Sequence, residues 1–441
     1  MQTITMIAQV IAALTILVTI HELGHFLAAR IFGIKVEKFF IFFDAWGKKI
    51  FSKKIGETEW GIGWLPLGGY VKIAGMIDES MDKESMKQPI QSWEFRSKPA
   101  WQRMIVMLGG IIFNVLLGII IFSGIKYHYG DQLLINNSVK YGISPSELAQ
   151  EVGFKLGDKI VSVNGKPIVH LEEALNSKVI LGDNPTYTVI RNTQEVEVKL
   201  PHDFLNKLSR KAKGGFFTPR LELYVGKTLP NSAADKAGLK ANDKIIGIDT
   251  LSFNCFDEFQ PALLKYAGKQ TNLVVVRSND TLKLTVTVSS DGKIGFQPVD
   301  INWKFDTIAY SILSSIPAGI NQAIETISSQ ISGWGKIFHG DIALNKAVQG
   351  PIGIAQFFGP TWDWLNFWML TALISMALAF MNFLPIPALD GGHVVLLIIE
   401  MVIGRPVSDK WMERIQTVGM VILLSLMVLI FGNDIFQLIF K

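Results

Sequence analysis

The stretch His21-Glu22-Leu23-Gly24-His25 decides how the rest of this sequence is interpreted. HExxH is a zinc-protease signature in which two histidines, four residues apart on one face of a helix, bind the same metal ion. Here the motif follows directly on a predominantly apolar run of about 17 residues, Ile4 to Ile20, which is long enough for most of a membrane-spanning helix. Ionisable groups at membrane depth cost roughly 2.5–3.5 kcal/mol each and usually mark function. The sequence therefore indicates a metal-dependent hydrolytic site inside a membrane.

The composition supports a membrane protein with substantial soluble parts. The 441 residues are 49% hydrophobic and 18% charged, with a mean hydropathy of +0.32, whereas soluble globular proteins carry about 25% charged residues. The formal charge of +4 is small for this length and argues against nucleic-acid binding. The single cysteine, Cys255, excludes an intrachain disulfide and a thiolate zinc cage. No Lys or Arg precedes the first apolar run, so we expect a retained span rather than a cleaved signal peptide.

Four apolar segments predict a polytopic α-helical membrane protein with four transmembrane helices. The expected spans are residues 1–32, 103–126, 363–392 and 415–441. Segment 33–102 is rich in lysine and is therefore expected on the cytoplasmic side, as a small membrane-associated region of β-hairpins and loops. The region between the second and third spans then lies outside, and the loop over 393–414 lies in the cytoplasm. Trp362, Trp364 and Trp368 would form an interfacial belt at the outer end of the third span.

The external region contains an internal repeat. The stretch Gly153–Gly165 reads GFKLGDKIVSVNG, and about 85 residues later Gly238–Asp249 reads GLKANDKIIGID. Each copy is a glycine-containing turn and an aspartate that lead into an alternating β-branched strand. The pattern resembles the PDZ domain, which predicts two PDZ-like α/β domains over 127–212 and 213–300. Residues 301–362 are predicted to be an amphipathic helix and linker that return to the membrane.

A catalytic zinc site needs three protein ligands and an open position for water. His21 and His25 supply two, and the third must come from elsewhere in the chain. Asp390 ends the third span in NFLPIPALDGGH (382–393), near the same end of the membrane as the histidines, and its negative charge would offset the dication. His393 lies one helical turn further on. The spacing alone leaves Asp390 and His393 as alternatives for the third ligand.

Glu22 is the expected general base. It lies beside the two histidines but on a different face of the helix. Because zinc lowers the pKa of a bound water to about 7, Glu22 would take the proton of that water during attack on a peptide carbonyl. It would then pass the proton to the leaving amine.

Further residues must handle the substrate, because a transmembrane helix hides its peptide bonds in its own hydrogen bonds. Pro385 and Pro387 lack a backbone N–H and predict a broken third span with free carbonyls. Asn382 could hydrogen-bond a substrate backbone. The segment Glu59–Ile73, with Gly68-Gly69-Tyr70, predicts strands and a glycine turn whose edge could pair with an extended substrate. The simpler alternatives are that the prolines only end the span, that Asn382 only joins helices, and that the glycines only form a tight turn.

Taken together, these motifs resemble those of the site-2 protease family over nearly the whole chain. The resemblance is carried by HELGH at 21–25, PLGGYVK at 66–72, WQR at 101–103, GPIGI at 350–354, NFLPIPALDGGH at 382–393 and the pair Asn433-Asp434. HExxH alone is moderately specific, whereas HExxH combined with NxxPxPxLDGG in a separate span is very specific.

The resemblance implies a zinc ion bound by His21, His25 and Asp390, with Glu22 as the base. It thereby selects Asp390 over His393. One departure concerns the second span, where the family usually carries Gly-Pro-x-x-Asn and this chain has Gly110-Ile111-Ile112-Phe113-Asn114, without the proline. We expect Asn114 to form a hydrogen bond between helices.

The resemblance also implies how substrates are handled. The β-region, Asn382 and Pro385 would position the substrate in an inner-membrane enzyme of regulated intramembrane proteolysis. The PDZ pair would be a periplasmic size filter that admits substrates already cut by another protease. The substrates implied are single-pass anti-sigma factors, with remnant signal peptides as a second class.

Two other functions are compatible with parts of the sequence. One is a membrane-anchored PDZ scaffold that binds exposed C-termini and has lost catalysis; the intact His21, Glu22, His25 and Asp390 argue against it. The other is a surface metalloprotease on a membrane anchor, which requires HExxH to lie outside the membrane.

Overall fold

The computed structural model describes residues 2–66, 68–76, 89–201, 204, 216–229, 231–339, 350–405, 411, 414–421, 425 and 427. The chain forms two compact units. The first unit comprises residues 1–130, 309–335 and 344–441, and the second comprises residues 131–308 and 336–343.

The α-helices of the described residues are numbered in chain order. They are α1 (Gln2–Ile31), α2 (Ala100–Tyr129), α3 (Glu147–Glu151), α4 (Ser177–Ile180), α5 (Ala233–Lys236), α6 (Phe256–Leu264), α7 (Ile312–Phe338), α8 (Pro351–Phe358), α9 (Trp364–Phe383) and α10 (Asp390–Ile403). Residues 414–421 are also helical.

The β-strands are numbered in the same way. They are β1 (Val36–Phe40), β2 (Lys49–Ile55), β3 (Thr58–Gly63), β4 (Tyr70–Ile73), β5 (Asp131–Leu134), β6 (Ile143–Pro145), β7 (Lys159–Val163), β8 (Lys166–Pro167), β9 (Thr186–Arg191), β10 (Gln194–Lys199), β11 (Phe217–Pro219), β12 (Tyr224–Thr228), β13 (Lys244–Ile248), β14 (Leu251–Ser252), β15 (Gln270–Arg277), β16 (Asp280–Thr287), β17 (Phe296–Val299) and β18 (Phe305–Ile308).

Three helices among the described residues are long and apolar enough to cross a membrane. They are Ile4–Ile31 in α1, the whole of α2 and the whole of α9, with mean hydropathies of 2.1, 2.8 and 1.6. Together with the β-rich regions they form a polytopic membrane protein, as predicted. The fourth predicted span, over 415–441, lies mostly outside the described residues.

The segment expected over 363–392 is divided into two helices, and the break lies at the prolines that predicted it. Helix α9 begins where the Asp363 side chain accepts hydrogen bonds from the backbone N–H groups of Leu365 and Asn366, and it ends at Phe383. Pro385 follows two residues later and cannot continue a helix. A separate helix, α10, begins at Asp390.

Helix α10 also replaces most of the loop expected over 393–414. Its residues Val394 and Leu397 are buried in the cluster that contains Val106 of α2. Near its far end, Glu400 forms an ion pair with Arg103 of α2, and both side chains are nearly buried. Apolar and ionic contacts with α2 therefore stabilise a helix here, which no apolar span signal revealed.

The expected β-region after α1 is a four-stranded sheet in the order β2-β3-β1-β4. Strand β1 pairs parallel with β3 and antiparallel with β4, so β4 is an edge strand. Val36, Phe39 and Ile73 of β1 and β4 are buried in one cluster with Ala28 of α1. This packing fixes the β4 edge against the helix that carries HExxH. Residues 77–88 of the region lie outside the described part.

The second unit contains two β-domains with separate cores. The first core is built from residues between Leu134 and Phe217, and the second from residues between Leu223 and Ile294. Strand β11 pairs with β6 of the first domain, so that domain extends to about residue 219 rather than to the expected boundary at 212. Strand β18, expected as part of a helix and linker, pairs antiparallel with β5, with Ile308 opposite Asp131.

The sequence repeat corresponds to a repeated ion pair. In the second domain, Arg277 at the end of β15 donates from Nε and Nη2 to both oxygens of Asp243, each at 2.7 Å, and from Nη2 to the Gly238 carbonyl at 2.8 Å. In the first domain, Arg191 makes the same contacts with Asp158 at 2.8 and 2.7 Å. Both aspartates are almost fully buried. This ion pair, repeated in both domains, explains why each copy of the repeat has an aspartate just before its strand.

The departures of the second copy from the repeat leave this turn intact. Asn242 stands where the first copy has Gly157, and both adopt a positive φ, 67° and 86° respectively. Asparagine tolerates this left-handed region better than other non-glycine residues. Asp249 replaces Asn164 with φ values of 48° and 51°.

We expect Asp243→Asn to destabilise the second domain by about 3 kcal/mol, near the lower end for breaking a buried ion pair, because Arg277 keeps some contact with water. Limited proteolysis of the full-length protein should then cut within residues 224–299 about a hundredfold faster, provided that cleavage follows the population of the open domain. The matched control is Asp280→Asn, at an exposed position of the same hairpin. Equal proteolysis of the two variants would contradict the prediction.

The same ion pair predicts a pH dependence. Burial opposes ionisation of Asp243, but the hydrogen bonds from Arg277 outweigh it, so the pKa of Asp243 lies below its ordinary 3.8. The stabilisation is therefore present above about pH 4 and is lost as the pH falls through the lowered pKa. Asp243→Asn should remove this part of the acid sensitivity.

Candidate metal centre

Three predicted ligands meet at one point in the first unit. His21 Nε2 lies 3.3 Å from Asp390 Oδ2, His25 Nε2 lies 3.4 Å from the same oxygen, and the two Nε2 atoms are 3.2 Å apart. Asp390 Oδ2 is buried and has no hydrogen-bond partner among the described residues. His21, His25 and Asp390 form the only group of potential metal ligands found in the described part of the chain.

This triangle fits a zinc ion. A tetrahedral site with zinc–ligand bonds of about 2.0–2.1 Å separates its ligand atoms by about 3.3–3.4 Å, close to the observed distances. Two imidazole nitrogens and one carboxylate are a common donor set for catalytic zinc. An unpartnered buried carboxylate oxygen is costly on its own, and a cation between the three atoms would satisfy it.

Local sequence explains why Asp390 reaches the histidines. Residues 384–389 are non-helical, and Ala388 takes a positive φ of 74°, so the chain turns before α10 begins. A Cβ added to Gly391 would lie 2.6 Å from the Phe383 carbonyl oxygen, and one added to Gly392 would lie 2.5 Å from that of Ile386. The two glycines therefore let the first turn of α10 pack against the broken end of α9.

The structure brings His393 to a different place. Its Nε2 lies 2.9 Å from Gln416 Nε2 in the helical segment 414–421, and it is not part of the ligand triangle. Of the two alternatives that spacing left open, Asp390 is the one beside both histidines.

Helix α2 contacts the Nδ1 atoms of both histidines. His25 Nδ1 lies 2.8 Å from the Val106 carbonyl oxygen, and His21 Nδ1 lies 3.2 Å from Asn114 Nδ2. A carbonyl beside Nδ1 leaves Nε2 of His25 free to bind a metal. The Asn114 contact is the hydrogen bond between helices expected of this residue, although His21 was not predicted as its partner. The Val106 contact was not predicted, because a backbone carbonyl has no sequence signature.

Glycines make this support possible. A Cβ added to Gly109 would lie 2.5 Å from the carbonyl oxygen of Gly24, so the backbones of α2 and α1 are in direct contact. A Cβ added to Gly110 would lie 2.5 Å from both His21 Cε1 and His25 Nε2. Small residues commonly allow helices to approach this closely in membranes. Gly24 of the HELGH motif therefore has a packing role.

A cavity of about 690 Å³ opens onto His21, Glu22, His25 and Asp390. Strand β4 forms one side of the cavity, through Tyr70 and Val71. Gln416 and Met420 line the cavity from the helical segment 414–421.

Only some of the predicted substrate residues line this cavity. Asn382, Gly69 and Tyr70 line it, whereas Gly68 and Pro385 do not. Asn382 Nδ2 lies 3.5 Å from His21 Nε2. Gly69 has a packing role as well, because an added Cβ would lie 2.6 Å from the Phe40 carbonyl oxygen and 2.8 Å from Val18 Cγ1.

A polar group at the rim of the cavity was not anticipated. The Tyr70 hydroxyl donates to Asp44 Oδ1 at 2.8 Å, and Lys38 Nζ donates to Asp44 Oδ2 at 3.1 Å. Partial burial opposes ionisation of Asp44, but these two donors outweigh it and hold the pKa of Asp44 below its ordinary value. The charge of Asp44 therefore fixes Tyr70 at the edge of β4.

Comparison with known proteins places these observations in a family. The protein-family model described as Peptidase family M50 matches residues 9–426 of this chain. A putative zinc metalloprotease of Vibrio cholerae is 31% identical over 97% of this chain and 98% of its own length. A regulator of sigma E protease from Haemophilus influenzae is 30% identical over the same shares, and the regulator of sigma-E protease RseP of Escherichia coli K12 is 28% identical over 98% of each chain.

We expect Gly110→Ala to weaken metal binding roughly tenfold or more, as for the loss of an outer-shell partner, because the added methyl group would displace both histidine rings. Zinc bound by the purified protein would be measured in competition with a chelator.

The matched control is Gly124→Ala on the same helix, where an added Cβ would meet nothing within 4 Å. Unchanged zinc affinity in Gly110→Ala would show that the histidines can move without losing the ion.

Proposed function

The chain belongs to peptidase family M50 and is a metalloprotease, and from that premise we propose that it is a zinc-dependent endopeptidase of the site-2 type that hydrolyses peptide bonds within the membrane. One observation carries this proposal. Two potential zinc ligands lie in the apolar helix α1, and the third lies just after the apolar helix α9, within 3.4 Å of both. Ionisable side chains within membrane-spanning segments cost free energy and usually mark a functional site.

Each residue of the site has a distinct task in the proposed reaction. His21, His25 and Asp390 hold the zinc ion, which when bound would polarise a water and a peptide carbonyl. Glu22 faces the same cavity and accepts a proton from the attacking water. The same carboxyl group then delivers that proton to the leaving amine.

Substrate binding is proposed to use the β4 edge of the cavity. A transmembrane segment must unwind before cleavage, and an extended backbone can pair with an edge strand. Strand β4 is such an edge, and Tyr70 and Val71 line the cavity beside Glu22. Asn382 also lines the cavity and is proposed to hydrogen-bond the substrate backbone.

Gly68, Gly69 and Pro385 are proposed to act by shaping the site. Gly68 has a φ of 150°, which favours glycine, and Gly69 packs closely on α1 and β1. Pro385 ends α9, while the carbonyls of Asn382 and Phe383 lie against Gly391 of α10.

The proposed architecture adds a fourth span over 415–441 and two PDZ domains in the second unit, at about 131–219 and 220–300. Both domains carry the same aspartate–arginine pair and a short helix directly before the repeated turn, which supports a duplicated module. The lysine-rich segment 33–102 favours a cytoplasmic location for the β-region and a periplasmic one for the PDZ pair in an inner-membrane protein.

The proposed substrates are single-pass transmembrane proteins of the anti-sigma factor type, and also remnant signal peptides. The relatives from Haemophilus influenzae and Escherichia coli are each named a regulator of sigma E protease, and these names favour the first class. The PDZ pair would exclude substrates whose external domain has not been removed by another protease.

We expect Glu22→Gln to lower cleavage by roughly a hundredfold to ten-thousandfold, because it removes the general base, while its zinc content stays stoichiometric. Asp390→Ala should lose both zinc and cleavage, because it removes a ligand. The measurement pairs zinc content with cleavage of a single-pass substrate whose external domain is already truncated. Full cleavage by Glu22→Gln would refute the role of Glu22, and wild type without zinc would favour a catalytically inactive PDZ scaffold.

A second variant tests the substrate contact. Asn382→Leu should retain zinc but cleave about tenfold more slowly, the rate equivalent of one hydrogen bond of about 1.4 kcal/mol. Asn366→Leu is the control on the same helix, because the side-chain amide of Asn366 donates to the backbone carbonyls of Phe357 and Phe358 and does not line the cavity. Equal rates for Asn382→Leu and wild type would remove Asn382 from the substrate site.

A further inference from the structure

Asn114 is a fully buried polar residue in the middle of the apolar helix α2. Its side-chain amide lies 3.2 Å from Nδ1 of His21, the ring nitrogen that faces away from Asp390. The amide oxygen, Asn114 Oδ1, is buried and has no hydrogen-bond partner among the described residues. A buried amide oxygen without a donor is costly, so its position calls for a physical reason.

The chemistry of His21 supplies that reason. In a neutral imidazole one nitrogen carries the proton and the other offers a lone pair. If Nε2 binds a metal, then Nδ1 must carry the proton and needs an acceptor. His25 already has such an acceptor in the Val106 carbonyl oxygen at 2.8 Å. His21 has the amide of Asn114 at the corresponding place.

The amide oxygen and nitrogen of an asparagine side chain are nearly the same size, so the two atoms can exchange places by rotation of the amide group. Turning the Asn114 amide by half a rotation would place Oδ1 beside Nδ1 of His21. We propose that Asn114 is a positioning residue of the metal site, whose Oδ1 accepts a hydrogen bond from His21 Nδ1–H. This bond fixes the ring plane of His21 and directs the lone pair of Nε2 toward the metal; the inference rests on the proposed zinc site.

The hydrogen bonds of Asn114 allow this role to be separated from helix packing. Ser375 Oγ of α9 donates to the backbone carbonyl oxygen of Asn114 at 2.8 Å, and both groups are buried. That bond joins α2 to α9 and does not involve the Asn114 side chain. Removing the Ser375 hydroxyl therefore perturbs helix packing at the same residue while leaving the amide and His21 untouched.

The experiment measures zinc affinity, by competition with a chelator, for full-length wild type, Asn114→Leu, Asn114→Asp and Ser375→Ala in detergent. Asn114→Leu keeps the side-chain size but has no acceptor, so its zinc affinity should fall 10- to 100-fold, as for other outer-shell partners. Asn114→Asp keeps an acceptor and should retain zinc. Ser375→Ala should also retain zinc, and thermal unfolding of the metal-free forms checks that each variant is folded.

The outcomes separate this inference from the proposed function. If wild type binds zinc and Asn114→Leu binds it equally well, or if Ser375→Ala loses as much affinity as Asn114→Leu, the positioning role is overturned and the zinc site stands. Loss of zinc in Asn114→Asp would overturn it too, because a donor rather than an acceptor would then be required; this variant carries the test if Asn114→Leu does not fold. Wild type without zinc would overturn the proposed function together with the inference.

Discussion

The contact between the backbones of α1 and α2 at Gly24 and Gly109 is the constraint on which the candidate metal centre depends. It brings α2 close enough for the Val106 carbonyl to reach His25 and for the Asn114 amide to reach His21. A larger residue at either glycine would separate the helices and leave polar ring nitrogens in an apolar environment without partners. The cost of such groups at membrane depth makes this spacing as important as the ligands themselves.

A second constraint is the interruption between α9 and α10. A continuous helix would carry Asp390 past the histidines, whereas the break after Phe383 lets α10 start at Asp390 beside them. The ion pair of Glu400 with Arg103 and the burial of Val394 and Leu397 hold α10 on α2. Helix α2 therefore positions both the histidines of α1 and Asp390 of α10.

Much of this arrangement could be predicted from sequence, and the assignment to a metalloprotease family is confirmed. HExxH and LDGG have fixed spacings and chemically distinctive residues, and the apolar runs of α1, α2 and α9 are unambiguous. The remainder depends on tertiary contacts that leave little local signal. The Val106 carbonyl has no residue-specific mark, Gly110 is one glycine among many, and α10 is too short to be read as a span. The ligand and substrate roles of individual residues stay predictions.

Pairing of β18 with β5 has a consequence for how the second unit is joined to the chain. Ile308 lies directly opposite Asp131, so the insertion between them begins and ends at neighbouring strands, about 5 Å apart. For a flexible segment, the entropy lost on closing a loop grows only slowly with its length; a folded insertion with adjacent ends avoids even that. For the helices on either side, about 175 residues of folded chain therefore behave as a short connection. Insertions of this kind can be lengthened, shortened or exchanged during evolution with little effect on the stability of the helices that flank them.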